Sequence, residues 1–148
     1  MRYAITRTDG GLSLMQLVRG TAQEAIAKWS PKNQASVVSV VEIDESSIPQ
    51  DRTYRNAWKL DGAEVTHDME KARNIHREHM RLARAPLLDA LDVEFQRAYK
   101  DPIKQDEIEA KKQVLRDVTA DPAIDAAASV TELKAAWPTV LNSAKVRS

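Results

Sequence analysis

The sequence predicts an α+β fold: a small N-terminal β-sheet with one packed helix, then a long helical hairpin and a short C-terminal helix. Three observations carry this. All four glycines (Gly10, Gly11, Gly20, Gly62) fall in the first 62 of the 148 residues. The same part holds two Asp-Gly turn signals and a β-branched run, SVVSVVEI at 36–43. From Asp68 to Val118 there is no glycine, and the stretch is built almost wholly from helix formers. The shift near Asp68 predicts a small α+β domain at 1–67, a helical hairpin arm at 68–138 and a polar C-terminal tail at 139–148.

Residues 2–8 and 12–18 flank Asp9-Gly10-Gly11, a hairpin signal because glycine takes φ > 0 without steric cost. A two-residue turn at either Asp9-Gly10 or Gly10-Gly11 puts Tyr3 and Ile5 on the face of Leu12 and Leu14. Thr21-Ala-Gln-Glu24 reads as a capping box, with Ala22, Ala25, Ile26 and Trp29 on one helical stripe and Ser30-Pro31 as the stop. The run at 36–43 is apolar on both faces and reads as a covered strand. Asp61-Gly62 forms a second hairpin, pairing Leu60 with Ala63 and Trp58 with Val65.

Asp68 caps a helix whose apolar face is Met69, Ala72, Ile75, His79 and Leu82. Pro86 predicts a kink or brief break, after which Leu87, Leu88, Leu91 and Phe95 resume the pattern. Asp101-Pro102 and Asp121-Pro122 are N-cap and N1 pairs that open new helices. Ile108, Leu115 and Val118 line the inner face of the first, and Ser129-Val-Thr-Glu132 caps a last short helix carrying Val130, Leu133 and Trp137.

Composition narrows the function. Lys plus Arg equals Asp plus Glu at 22 each, so bulk charge points to neither nucleic acid nor membrane. No cysteine is present, which removes disulfides and thiolate chemistry. No signal-peptide h-region and no 18-residue apolar run appears, so a soluble protein is expected. A 43% hydrophobic content with a single Phe predicts an aliphatic core.

Four constellations bear on chemistry. His76 and His79, with Glu78 or His67, have helical ligand spacing, but no spacing supplies a closed four-ligand set, so surface and half-buried histidine is the reading and no metal or cofactor is expected. Arg73, Arg77, Arg81 and Arg84 form a basic stripe. It suits a face paired with Glu70, Glu78 and Asp89, which is the favoured reading, or a phosphate-tracking ridge, or an acidic surface on another protein. Glu42, Asp44 and Glu45 end a strand in a loop, where acid–base catalysis lacks the apolar pocket it needs. Trp29, Trp58 and Trp137 read as core anchors, Trp137 also as an interface residue. With no nucleophile elbow or phosphate-binding glycine loop in view, a non-enzyme is expected. Interface candidates are Ile75, Leu82, Leu88, Leu91, Phe95, Leu115 and Trp137, which are equally candidates for the internal core, so the interface is whatever apolar face folding leaves over.

The segment from about Arg81 to Pro138 resembles the tail assembly chaperone-like proteins of tailed bacteriophages. The match lies in the Arg-rich lead into LLDALD (87–92), Gln96-Arg97-Ala98, KKQVLRD (111–117) and Trp137-Pro138. DRTYRNAW (51–58) through HREHMRLARAP is similar to uncharacterised phage proteins of comparable length. The resemblance implies a non-enzymatic virion structural or tail-assembly protein that packs on other virion or tail proteins and on its own copies. It implies the host cytoplasm during assembly, or the virion, as location, and it brings no catalytic residues. The β-containing N-terminal part and the Ala-rich segment before Trp137 depart from the family pattern. They equally suit a permanent tail, fibre-attachment or capsid-associated component. The arginine stripe keeps a nucleic-acid-associated or regulatory phage protein as the alternative.

Overall fold

The first turn of the chain sets which side chains face the core. A computed structural model describes residues 1–142. Strand β1 (Arg2–Arg7) and strand β2 (Leu12–Gln16) are joined through a three-residue loop, Thr8-Asp9-Gly10. Gly10 N donates to Arg7 O at 3.0 Å, Arg7 N donates to Gly11 O at 2.9 Å, and Gly10 sits at φ 81°. The odd loop length reverses the expected parity. Leu14 pairs with Ala4 and Leu12 with Thr6, so the two leucines share a face with Ala4 rather than with Tyr3 and Ile5. Ile5 is fully buried on the opposite face.

Strand β3 (Val37–Ile43) pairs antiparallel with the other edge of β1, giving the order β2-β1-β3. Strands β4 (Trp58–Asp61) and β5 (Glu64–His67) form a separate two-stranded sheet where the sequence predicted a single one. Their turn is Gly62-Ala63, with Gly62 at φ 62°, because a II′-type turn places its glycine first. Trp58 therefore pairs with His67 and Leu60 with Val65, two residues away from the predicted register. A slip of two keeps every side chain on its face. Trp58 and Val65 join Ala4 and Ile43 in one core, with Leu12, Leu14, Val41, Ile48 and Leu60 packed beside them.

Helix α1 (Ala22–Ala27) carries the expected capping box: Thr21 Oγ1 accepts from Glu24 N at 3.2 Å and Glu24 Oε2 from Thr21 N at 3.3 Å. Ala22, Ala25, Ile26 and Trp29 are its least exposed positions. Ser30-Pro31 does more than stop it. Ser30 Oγ accepts from Asn33 N, and Pro31 opens helix α2 (Pro31–Ala35). A proline with no amide to lose fits the first turn of a helix.

Helix α3 (Met69–Arg97) runs unbroken through Pro86, about 43 Å at about 1.5 Å per residue. Pro86 is exposed, and its missing amide leaves one carbonyl of the preceding turn without its usual helical donor. Asp68 Oδ1 caps the start by accepting from Glu70 N and Lys71 N. Beyond Arg97 the chain reverses at Lys100, which holds φ 65°. Asp101 Oδ1 then accepts from Lys104 N at 3.1 Å to begin helix α4 (Pro102–Asp117). Ile108, Leu115 and Val118 are buried, as the periodicity predicts.

A 3-10 turn (Val118–Ala120), helix α5 (Pro122–Ala126) and helix α6 (Val130–Ala135) follow, capped by Asp121 and Ser129. The chain divides into two compact units after Ala72, inside the first turn of α3 rather than at Asp68. The predicted polar tail begins too early, because Thr139–Asn142 forms a 3-10 turn and buries Leu141 completely. The rest of that tail, 143–148, lies outside the described residues.

Lys100 occupies a left-handed position that a side chain adopts at a cost of about 1 kcal/mol. Lys100→Gly should therefore raise unfolding stability by about 0.5–1 kcal/mol, despite losing a surface contact between Lys100 and the Tyr99 ring. Urea unfolding of the two proteins checks this; an unchanged or lower midpoint would remove the strain argument.

Candidate interaction surfaces and the arginine ladder

The inward face of α3 differs from the predicted apolar stripe. Ala72, His76 and Met80 are its buried positions, whereas Ile75 and His79 are half-buried and Leu82 is 66% exposed. The reason lies in the arginines. Arg73, Arg77 and Arg84 turn to the second unit's own backbone, so the inner face is shared between hydrophobic and guanidinium side chains.

Arg84 Nη1 donates to Leu115 O at 3.3 Å and to Arg116 O at 2.9 Å, at the end of α4. Arg77 Nε donates to Thr119 O at 3.2 Å, and its Nη2 reaches Asp125 Oδ1 at 2.6 Å. Arg73 Nε donates to Ile124 O at 3.2 Å and its Nη2 to Ala127 O at 2.8 Å, at the end of α5. Helix ends leave carbonyls without amide partners, and a guanidinium with several fixed donors suits them. Successive rungs toward the N-terminus of α3 meet carbonyls progressively later in the returning chain. Arg81 alone stays on the surface, paired with Glu78 at 3.1 Å. Of the acidic partners expected for this stripe, only Glu78 is used this way; the backbone takes most of the rest.

His76 lies inside the same unit, 2% exposed. Its Nε2 stands 2.8 Å from Ala136 O, and its ring meets Trp137 edge-on at 5.6 Å. A carbonyl only accepts, so this contact assigns the proton to Nε2. The pair holds the end of α6 against α3, which accounts for both His76 and Trp137. Among the described residues no three His, Asp or Glu side chains converge as metal ligands.

The predicted interface residues divide. Leu115 belongs to the core at 2% exposure, the internal one of its two expected places. Phe95 is half-buried under Lys112, whose Nζ lies 5.8 Å from the ring centre and pairs with Asp92 at 2.5 Å. Ile75, Leu88, Leu91 and Trp137 are half-buried, while Leu82 remains open. In the first unit Val38 is 62% exposed on the strand read as covered; in the second, four exposed apolar residues escaped the sequence reading, Val93, Tyr99, Ile103 and Val114. Their signal was position, since Ile103 and Val114 lie off the stripe of Ile108, Leu115 and Val118. Leu87, Ala90, Leu91, Leu115 and Val140 line a groove of about 210 Å³, edged by Glu94 and Lys111.

In the first unit the carboxylates serve local structure. Asp44 Oδ1 accepts from Ser46 N at 2.8 Å to start the 3-10 turn Glu45–Ser47. Hydrogen bonds from the Ser46 backbone and side chain hold the Asp44 carboxyl below its usual range. Glu45 pairs with Arg2 at 2.9 Å. Among the described residues no helix is long and apolar enough to cross a membrane. No protein-family model matches the chain, and no curated protein or solved structure does.

The ladder predicts unequal effects along one stripe. Arg73→Ala removes two hydrogen bonds to half-buried carbonyls and should cost about 1–3 kcal/mol in urea unfolding. Arg81→Ala should stay within about 0.5 kcal/mol of the parent. Equal effects would show that the ladder carries no stability.

Burial lowers the His76 pKa; the Ala136 hydrogen bond opposes this, and His79 and Arg77 add to the lowering. The folded chain thus resists a proton that the unfolded chain accepts. Stability is complete above the unfolded value of about 6.5 and falls as pH drops below it. Burial lowers His67 as well, and its effect has the same sign. Thermal midpoints from pH 8 to pH 5 should therefore fall, and fall less steeply in His76→Gln. An identical slope in the two proteins would assign the effect elsewhere.

Proposed function

We propose that the chain is a non-enzymatic protein–protein packing module that works through its helical hairpin. Following the sequence resemblance, we assign it to virion structure or tail assembly in a tailed phage, with tail or virion proteins and further copies of itself as partners. One observation carries the packing part of this reading. The hairpin leaves Leu82, Val93, Ile103 and Val114 between 46% and 75% exposed, and Leu87 and Leu91 separately line an open groove. Large aliphatic side chains spread over two adjoining helices gain about 25 cal/mol per Å2 when a partner covers them.

The arginine stripe favours the same reading over phosphate tracking. Arg73, Arg77 and Arg84 already hold carbonyls, so a nucleic acid would have to displace those bonds before using them.

Light scattering over a wide concentration range, together with capture of tail proteins from infected-cell extract, tests the reading. Self-association or tail-protein capture is expected, weakened by Leu82→Glu with Ile103→Glu, two exposed positions whose change should leave folding intact. A chain that stays monomeric and captures no tail protein would overturn it. Mass spectra of intact virions then separate a permanent component from a transient chaperone.

A further inference from the structure

The first unit carries a second surface, with different chemistry. A cleft of about 490 Å3 is bordered by Arg2, Arg52 and Arg55, with Leu14 and Ile48 among its lining and Glu45 as its one carboxylate. Glu45 is already paired with Arg2, which leaves Arg52 and Arg55 as uncompensated positive charge at the rim. Neither of these two makes a side-chain ion pair or hydrogen bond among the described residues. In a chain of zero formal net charge, that is a local excess of about two charges.

The rim is held in place. Asp51 Oδ1 accepts from Thr53 N at 3.0 Å and from Thr53 Oγ1 at 2.6 Å. Arg55 N donates to Arg52 O at 3.1 Å, closing a turn. Tyr54, between Thr53 and Arg55, is 2% exposed and anchors that turn in the unit's interior. Two guanidiniums are thus offered from a fixed turn, and a third from β1. Like charges fixed beside one another favour an anion between them, and planar guanidiniums match carboxylates.

We propose that this cleft binds an acidic peptide segment of a protein partner, its carboxylates on Arg52 and Arg55 and an apolar side chain against Leu14 and Ile48. A lone inorganic anion fits less well. The cleft is of ligand size and part of its lining is aliphatic, which rewards a ligand carrying both charge and apolar surface. The class of ligand rests on the packing-module reading, but the site lies on different residues and is tested apart from it.

The test uses the full chain and a labelled synthetic peptide of alternating Asp and Leu, followed by fluorescence anisotropy. Saturable binding is expected, weakening with added salt. Arg52→Ala with Arg55→Ala should lower affinity at least tenfold while leaving the urea midpoint unchanged. Arg52→Glu with Arg55→Glu should reverse the preference toward a Lys-Leu peptide. The Leu82→Glu, Ile103→Glu protein should bind the Asp-Leu peptide as the parent does, even where it has lost self-association, which separates this site from the hairpin surface. Three results would each overturn the proposal: no binding by the parent, equal binding of an Asn-Leu peptide, or complete competition by inorganic phosphate at the peptide's own concentration.

Discussion

Every helix end leaves backbone carbonyls that no amide in the same helix can reach, and burying such a group without a partner costs more than most side-chain contacts return. The second unit meets this constraint repeatedly, because α4, the turn after it and α5 end in close succession. Arg73, Arg77 and Arg84 project from one long helix and donate to carbonyls at those ends. This ladder is the interaction on which the returning chain depends. It lets short helices, too brief to be stable alone, lie against α3 with their termini satisfied. His76 extends the same logic to the end of α6 with a buried imidazole donor.

The first unit uses one arginine in a related way. Arg7 Nε donates to Ser13 Oγ at 3.1 Å, and its Nη1 donates to Asn33 O at 3.2 Å and Ser36 Oγ at 2.5 Å. The same guanidinium lies 5.1 Å from the centre of the Trp29 ring. One side chain from β1 therefore ties together β2, the end of α2 and Trp29, two residues beyond α1. Two short helices can cover a small sheet because a planar cation supplies directional bonds where aliphatic burial is limited. Charge satisfied internally in this way is unavailable for a ligand, which sets Arg7, Arg73, Arg77 and Arg84 apart from Arg52 and Arg55.

Much of the architecture could be read from residue order. Caps at Thr21, Asp68, Asp101, Asp121 and Ser129 act where their spacing predicts, because capping is a contact within one turn. The inner stripe of α4 was equally legible, since Ile108, Leu115 and Val118 are its regular apolar positions. Registers were harder. Whether a glycine turn takes two residues or three depends on how the strands meet, and one residue of difference exchanged the faces of the first hairpin. The face of α3 was misread because hydrophobicity cannot register an arginine that turns inward to a carbonyl. The candidate surfaces were half visible: Leu82 stood out, but Val93, Ile103 and Val114 became surface only once the stripe beside them was buried.

The sequence by itself determined the α+β class, the place where strands give way to helices and the start of nearly every helix. Each of these follows from local rules of turn, cap and period. Tertiary structure decided the strand registers, the inner face of α3 and the division of its arginines between core and surface. Those depend on where a distant carbonyl lies, and a donor's partner some forty to fifty residues away leaves no periodic mark near the donor.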